Sequence, residues 1–323
     1  MIRAICQKRR AFTVLVVLAI TFPPSAISQR KHPVPAKTAA ASWITRDCGH
    51  DVQLRLSSLS ASQGSLLLLE VYSSKPLVEF KGAWQGNPIP FWKETSSGSR
   101  EMDIRRGLLG VDLAQAPGEG VLTLTESAGD DPPADCLITV HIRAGKFATE
   151  RLKVAPNFVE PNPEQVAKAE EDGKRLRAIF DTVTPEKLWQ GTFRIPLDGA
   201  TTGSNFGRRR VLNGQPGSPH SGVDIPAPTG TPVHAAQNGR VVLADELYFS
   251  GNTVVVDHGL GVYTLYGHFS EISVKAGDQV AKGDVLGKVG ATGRVTGPHL
   301  HWGLTVARAR VNALAIAGSL RWK

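Results

Sequence analysis

From Asp51 to about Arg143 the chain alternates short apolar runs with turn-forming stretches. The runs are Val52–Leu56, Leu66–Tyr72, Leu77–Phe80, Leu108–Leu113, Val121–Thr125 and Leu137–Ile142. Gln63-Gly64, Gln85-Gly86-Asn87-Pro88, Ser97-Gly98 and Pro117-Gly118-Glu119-Gly120 punctuate them. Many short strands at this spacing predict an antiparallel sandwich of immunoglobulin-like kind. The period then changes. Asn162-Pro163-Glu164-Gln165 has the form of a helix start, with Asn as cap, Pro in the first turn and Gln165 in the capping-box position. Val166, Ala169, Leu176, Ile179 and Phe180 fall on one face through Asp181, with Gly173 inside the run. The charged opposite face, Lys168 to Arg177, predicts a solvated surface, and the apolar stripe predicts packing between two domains.

From Gly191 the strands return. Thr231–Ala236, Gly239–Ala244, Thr253–Asp257, Val262–Tyr266, Val285–Val289 and Leu300–Val306 are apolar runs of strand length, separated by glycines. Thr253–His258 and Val262–His268, joined through Gly259-Leu260-Gly261, form a hairpin candidate. The chain is therefore expected to be mainly β. A β-sandwich-like accessory domain spans 45–155, a helical connector 156–190, and a glycine-rich antiparallel β domain 191–323.

The N-terminus has a different character. Arg3, Lys8, Arg9 and Arg10 precede the apolar run Ala11 to Phe22, which is too short to cross a bilayer comfortably. Ala26 and Ser28 supply small residues at the −3 and −1 positions of a cleavage site, so residues 1–28 are expected to be a secretory signal and 29–44 a flexible leader. General secretion fits better than a twin-arginine route, because the residues flanking Arg9-Arg10 match that signal poorly. Once the signal is removed, no stable membrane insertion is expected.

Removal of the signal changes the charge. The full chain carries 37 basic and 29 acidic residues, a net +8, and the mature part retains 33 basic residues, a net +4. That balance gives no argument for nucleic acid as a partner, and it suits loose attraction to an anionic wall polymer. Cys6 leaves with the signal, so Cys48 and Cys136 remain as an even pair, which predicts one disulfide in an oxidising compartment. His50 and His141 are expected at the surface. Trp84 and Trp92 are expected in core or inter-domain packing rather than against a ligand.

The chemistry is concentrated near the C-terminus. In Gly297-Pro298-His299-Leu300-His301-Trp302-Gly303 the two histidines share one face of a strand, with Cα atoms ~7 Å apart. His220-Ser221-Gly222-Val223-Asp224 places a histidine and a carboxylate on one face of an extended segment. With one histidine of the pair they make a His, Asp, His ligand set that leaves a fourth tetrahedral position open, the pattern of catalytic rather than structural zinc. Spacing does not say which of His299 and His301 binds. His268, in Tyr266-Gly267-His268-Phe269-Ser270, ends a predicted strand, while His234 and His258 fit no ligand spacing and are expected to be structural. No His-Glu-x-x-His helix is present. The glycines after Leu286 lack the strand–loop–helix context and the Gly-Lys-Ser/Thr ending of a phosphate loop.

His220-x-x-x-Asp224, Gly267-His268-Phe269-Ser270 and Gly297-Pro298-His299-Leu300-His301 closely resemble the motifs of the lysostaphin-type (LytM-like) zinc metalloendopeptidases. The resemblance extends from Ser204-Asn205-Phe206-Gly207, through Asp224 to Val233 and the turns between Val274 and Val289, to Leu304. It covers about the last third of the chain. It implies that His220, Asp224 and His301 bind zinc, and that His268 and His299 are catalytic residues beside it. It further implies an endopeptidase acting on peptides of bacterial peptidoglycan, in the periplasm or at the cell wall. Val295 stands where a serine is frequent, and Asn312-Ala313 replaces a frequent Asp-Pro; neither is a matched ligand or catalytic position. The fold also resembles that of non-catalytic activators of cell-wall amidases, which typically lose ligands that are all retained here. A glycan-binding envelope protein stabilised by zinc is the other alternative. The turns at Gly277-Asp278 and Gly283-Asp284 resemble biotinyl or lipoyl carriers, but the Met-Lys-Met hairpin is missing.

Overall fold

A computed structural model describes residues 43–49, 51–94, 102–128, 134–200 and 204–317. The expected signal segment 1–28, nearly all of the leader 29–44, His50 and the Ser97-Gly98 turn lie outside the described residues.

Two five-stranded sheets form the N-terminal sandwich. One runs in the order Ile44–Gly49, Val52–Leu56, Leu66–Ser73, Asp103–Gly110, Phe91–Glu94, and the other Ser60–Ser62, Ala134–Arg143, Gly118–Ala128, Leu77–Trp84, Asn87–Ile89. Alternation along each strand sends Leu54, Leu69, Val71, Leu109, Leu122, Leu124, Val140 and Ile142 into one core. The sandwich is not wholly antiparallel: Ala134–Arg143 pairs with Ser60–Ser62 in parallel. Pro117-Gly118-Glu119-Gly120 leads directly into a strand rather than staying a turn. Gly120 is needed within that strand because a Cβ there would lie 2.1 Å from the Trp84 ring.

Cys48 and Cys136 form a disulfide between the two sheets, with Cα atoms 5.3 Å apart. Their separation of 88 residues encloses nearly the whole sandwich. Closing a loop of this size restricts the unfolded chain, so the oxidised protein is expected to exceed the Cys48→Ala/Cys136→Ala variant by roughly 2–4 kcal/mol in urea unfolding. Two titratable thiols in the denatured, unreduced protein would show that the bridge does not form.

The expected helix runs Pro163–Asp181. Its capping box is complete: the Asn162 side chain accepts from the Gln165 backbone N–H, and the Gln165 side chain accepts from that of Asn162. The helix does not serve as a wedge between domains. Leu176, Ile179 and Phe180 pack on Leu243, Leu247, Val255 and Tyr263, one face of the C-terminal sheet. Helical periodicity identifies the apolar side but not what covers it. The polar face is not all solvated either, since Asp172 is buried and accepts from the Tyr248 backbone N–H at 2.7 Å and from Lys168 at 2.7 Å.

The C-terminal sheet has nine strands. Its main path is Gly222–Pro226, His299–Val306, Val262–Ile272, Gly251–Asp257, Gly239–Leu247, Gln279–Val280. Pro232–His234 pairs with Val285–Val289, which joins Val262–Ile272, and Ala309–Val311 pairs with His299–Val306. The expected hairpin between Gly251–Asp257 and Val262–Ile272 is present, and its turn Gly259-Leu260-Gly261 has positive φ throughout. Leu68, Leu108 and Leu113 of the sandwich share one core with Phe193, Val306 and Val311. Arg310 and Asp112 form an ion pair across that contact at 2.7 Å. Trp84 lies in the sandwich core, while Trp92 meets Trp189 edge to face with centroids 5.4 Å apart.

His258 is fully buried, its Nδ1 2.7 Å from the Asn238 carbonyl and its Nε2 2.7 Å from the Thr264 hydroxyl. Burial pushes its pKa down from 6.5 to about 4. The unfolded chain takes up this proton below pH 6.5 and the folded chain does not. This contribution to stability is therefore complete above pH 6.5 and is lost as pH falls towards 4. Between pH 7 and pH 5 the loss is expected to be ~2 kcal/mol. Urea unfolding at the two pH values should show a difference smaller by that amount in His258→Gln. An equal difference in both proteins would contradict the assignment.

Candidate metal centre

Strand register builds the site. Gly222–Pro226 and His299–Val306 are antiparallel neighbours, and their register sets Asp224 directly opposite His301 and Pro226 opposite His299. On the other side His301 is paired with Gly267, which brings the next residue, His268, to the same end of the sheet. His220 lies just before the strand that carries Asp224. Three segments far apart in sequence are thus held together by backbone ladders, which position side chains more rigidly than loops do.

Three ligand atoms converge. His220 Nε2 lies 3.0 Å from His301 Nδ1, and each lies 2.9 Å from Asp224 Oδ1. Among the described residues this trio is the group of histidine, cysteine and carboxylate side chains close enough together that it could hold a metal ion. The tautomers suit that role. His220 Nδ1 lies 3.1 Å from the Asn205 carbonyl and donates to it, which leaves the Nε2 lone pair facing the trio. Two imidazole lone pairs and a carboxylate oxygen meeting at 3 Å require a cation or a proton between them. A triangle with these sides accommodates an ion roughly 2.0–2.2 Å from each donor, the zinc distance to nitrogen and oxygen.

Electrostatics point the same way. Burial opposes ionisation of Asp224, but its close side-chain interactions with His220 and His301 outweigh it and hold the carboxyl far below the usual carboxylate range. Its other oxygen, Oδ2, accepts from Asn205 Nδ2 at 2.9 Å and Arg210 Nη2 at 3.3 Å. Asn205 also accepts from the Asp224 backbone N–H through Oδ1 at 2.9 Å, so one amide clamps the residue twice. For His301, burial exceeds the raising effect of Asp224 and lowers the pKa, which favours the neutral form that a metal ligand needs.

The two remaining histidines lie at the rim. His268 and His299 have ring centroids 4.8 Å apart, and His299 Nε2 is 3.5 Å from Asp224 Oδ1. His299 Nδ1 donates to the Gly297 carbonyl at 2.8 Å, and His268 Nδ1 donates to the Thr292 carbonyl at 2.7 Å. In each neutral ring the free lone pair is therefore at Nε2. Burial, reinforced by repulsion from His301 and His299, pushes His268 down to about 3. Its backbone has φ +67°, a left-handed conformation uncommon for a residue other than glycine. The Ser250 carbonyl holds that conformation by accepting from the His268 N–H at 2.7 Å.

All five residues singled out from the sequence thus meet at one place. His234 and His258 do not join them: His234 pairs with the Gly283 carbonyl and His258 is in the core. His141 is exposed on its strand, as expected. Sequence reading missed Asn205, Arg210 and Thr292. Asn205 stood inside the resembling stretch Ser204–Gly207, which was the one available signal. Arg210 ends the run Arg208-Arg209-Arg210, and such a run reads as solvated surface.

The profile of peptidase family M23 matches residues 218–313. That span contains the ligand trio and both rim histidines. Residues 218–313 form an M23 domain. Over 131 residues the chain is 43% identical to the peptidoglycan DD-endopeptidase ShyA of Vibrio cholerae, covering 40% of this chain and 30% of ShyA. It is 38% identical over 149 residues to the DD-carboxypeptidase/endopeptidase Mpg of Neisseria meningitidis serogroup B, covering 46% of this chain and 32% of Mpg. The chain thus spans about a third of the length of these curated relatives. A crystal structure of a candidate M23 peptidase from Pseudomonas aeruginosa aligns with a TM-score of 0.58 and 28% identity, covering 79% of this chain and 93% of that one. That alignment extends well beyond residues 218–313, so the likeness in fold is not confined to the M23 domain.

Proposed function

We propose that this chain is an exported zinc-dependent endopeptidase that hydrolyses peptide bonds of bacterial peptidoglycan. The observation that carries this reading is the convergence of His220 Nε2, Asp224 Oδ1 and His301 Nδ1 beside two histidines whose Nδ1 atoms are already committed. The M23 domain and the printed activities of ShyA and Mpg support the substrate class. The disulfide supports an oxidising compartment. No helix among the described residues is long and apolar enough to cross a membrane.

His220, Asp224 and His301 would hold the zinc. When bound, the ion supplies Lewis acidity, activating a water and polarising the scissile carbonyl. The chain's own residues do the rest. Asn205 fixes the Asp224 carboxylate so that one oxygen faces the ligand trio. His268 has its Nε2 lone pair free to accept a proton while the Thr292 carbonyl holds its Nδ1–H. His299 offers Nε2 in the same way, held by the Gly297 carbonyl. A proton taken at either Nε2 is placed to return to the leaving amine, and the protonated ring stabilises the oxyanion.

The test is fragment release from purified sacculi by the mature protein. Chelator-treated protein should release no peptide-containing fragments, and stoichiometric zinc should restore release. An amidase activator would release fragments only when an amidase is added, and a zinc-stabilised binding protein would release none under any condition.

A further inference from the structure

Next to the ligand trio is a cleft of about 250 Å³ whose walls include Leu152, Leu212 and Pro226 together with Glu150, Arg210 and Arg294. One wall comes from outside the M23 domain: Thr149–Leu152 pairs in parallel with Arg209–Leu212. The apolar walls suit a small aliphatic side chain. The polar groups are cationic beyond what their neighbours balance. Arg210 reaches Asp224 Oδ2 with one amino group, and its Nε is buried with no hydrogen-bond partner. Arg294 lies over the Phe249 ring at 4.4 Å and, among the described residues, makes no ion pair with a carboxylate. Glu150 is committed to Arg208 at 2.9 Å.

Burial, with repulsion from Arg210, lowers the pKa of Arg294, so the two guanidinium groups feel one another in a partly desolvated cleft. Two such cations beside one carboxylate, which Arg210 alone reaches, leave an anion-sized deficit. A carboxylate satisfies it, because planar guanidinium groups bind carboxylates through paired N–H donors.

We propose that Arg210 and Arg294 form a recognition subsite for a free carboxylate of the peptide substrate, close to the scissile bond. This rests on the peptidase reading above. It makes the enzyme selective for stem peptides whose carboxylates are free over those in which they are amidated.

Arg294 gives the clean test, because Arg210 also touches Asp224. Two synthetic cross-linked stem-peptide dimers are compared, identical except that one has free carboxylates and the other carboxamides. With the zinc-loaded enzyme, KM for the acid is expected to be lower than for the amide by about tenfold or more, the worth of a charge-assisted hydrogen bond. Arg294→Gln should raise KM for the acid by about tenfold, with kcat, zinc content and the amide KM changed by less than about twofold. Arg294→Lys, which retains charge without the planar fork, should fall between the two. Calorimetric titration of both dimers into His299→Ala, with and without Arg294→Gln, reads binding without turnover. Equal KM and equal binding of acid and amide by the parent proteins would overturn the subsite, as would an Arg294→Gln effect equal on both dimers. A parent that cleaves neither dimer would instead defeat the peptidase reading, and the titration would still decide whether the carboxylate is recognised.

Discussion

His301→Ala is expected to lose bound zinc and peptide release together, whereas His299→Ala should keep its zinc and lose most of its turnover. The two residues share a strand face, but their ring atoms have different surroundings. His301 Nδ1 faces His220 and Asp224 at 3.0 and 2.9 Å. His299 Nδ1 is occupied by the Gly297 carbonyl, and its Nε2 stands 3.5 Å from Asp224. Without His301, one nitrogen and one carboxylate oxygen remain, too few for a stable catalytic site. Without His299 the trio is complete, and what is lost is a proton-transfer or oxyanion-stabilising group worth ~10²–10⁴ in rate. Elemental analysis and chromatography of released peptides on the same preparations separate the two effects, with circular dichroism as the check on folding. Zinc lost from His299→Ala and kept by His301→Ala would reverse the roles.

Gly222→Ala should also abolish zinc binding, though it removes no ligand. A Cβ on Gly222 would lie 2.6 Å from His301 Cε1 and Nε2 and 2.8 Å from the Trp302 carbonyl oxygen. The ring cannot yield without moving Nδ1 out of the trio, and the carbonyl belongs to the ladder that sets the register. Forced overpacking of this kind costs typically ~1–3 kcal/mol in stability. Gly303, directly opposite in the register, is the control, because a Cβ there meets only Leu265 Cβ at an ordinary 3.4 Å. Gly303→Ala should therefore keep its zinc and its melting temperature close to wild type. Zinc retained at full stoichiometry by Gly222→Ala would show that His301 is not held as described.

Much of this was legible in the chain because strands with one buried face repeat every two residues. The apolar runs at Val52–Leu56, Leu66–Tyr72 and Val285–Val289 mark real strands within a residue or so. Strands made by their partners rather than by their own composition were not legible. Ser60–Ser62, Asn87–Ile89 and Gln215–Pro216 are two or three residues long, too short to show a period of their own, and the neighbouring ladder makes them strands. Of the face expected on Pro163–Asp181, Leu176, Ile179 and Phe180 are packed while Val166 is exposed, and their partner depended on where the C-terminal sheet lay. The site followed the same division. The spacing of His220 with Asp224 and of His299 with His301 is local and survives in the sequence. Thr292 and Arg210 act through contacts set by long-range register and carry no local signal, whereas Asn205 was marked only by lying in the resembling stretch Ser204–Gly207.

The most direct measurement is mass spectrometry of the products formed by the purified, zinc-loaded protein from a defined cross-linked muropeptide dimer. The account predicts two peptide fragments that together exceed the dimer by one water, with new termini at a peptide bond, and no fragments from the same protein after chelation. An unchanged dimer, cleavage at the bond between sugar and peptide, or cleavage that continues without zinc would contradict it.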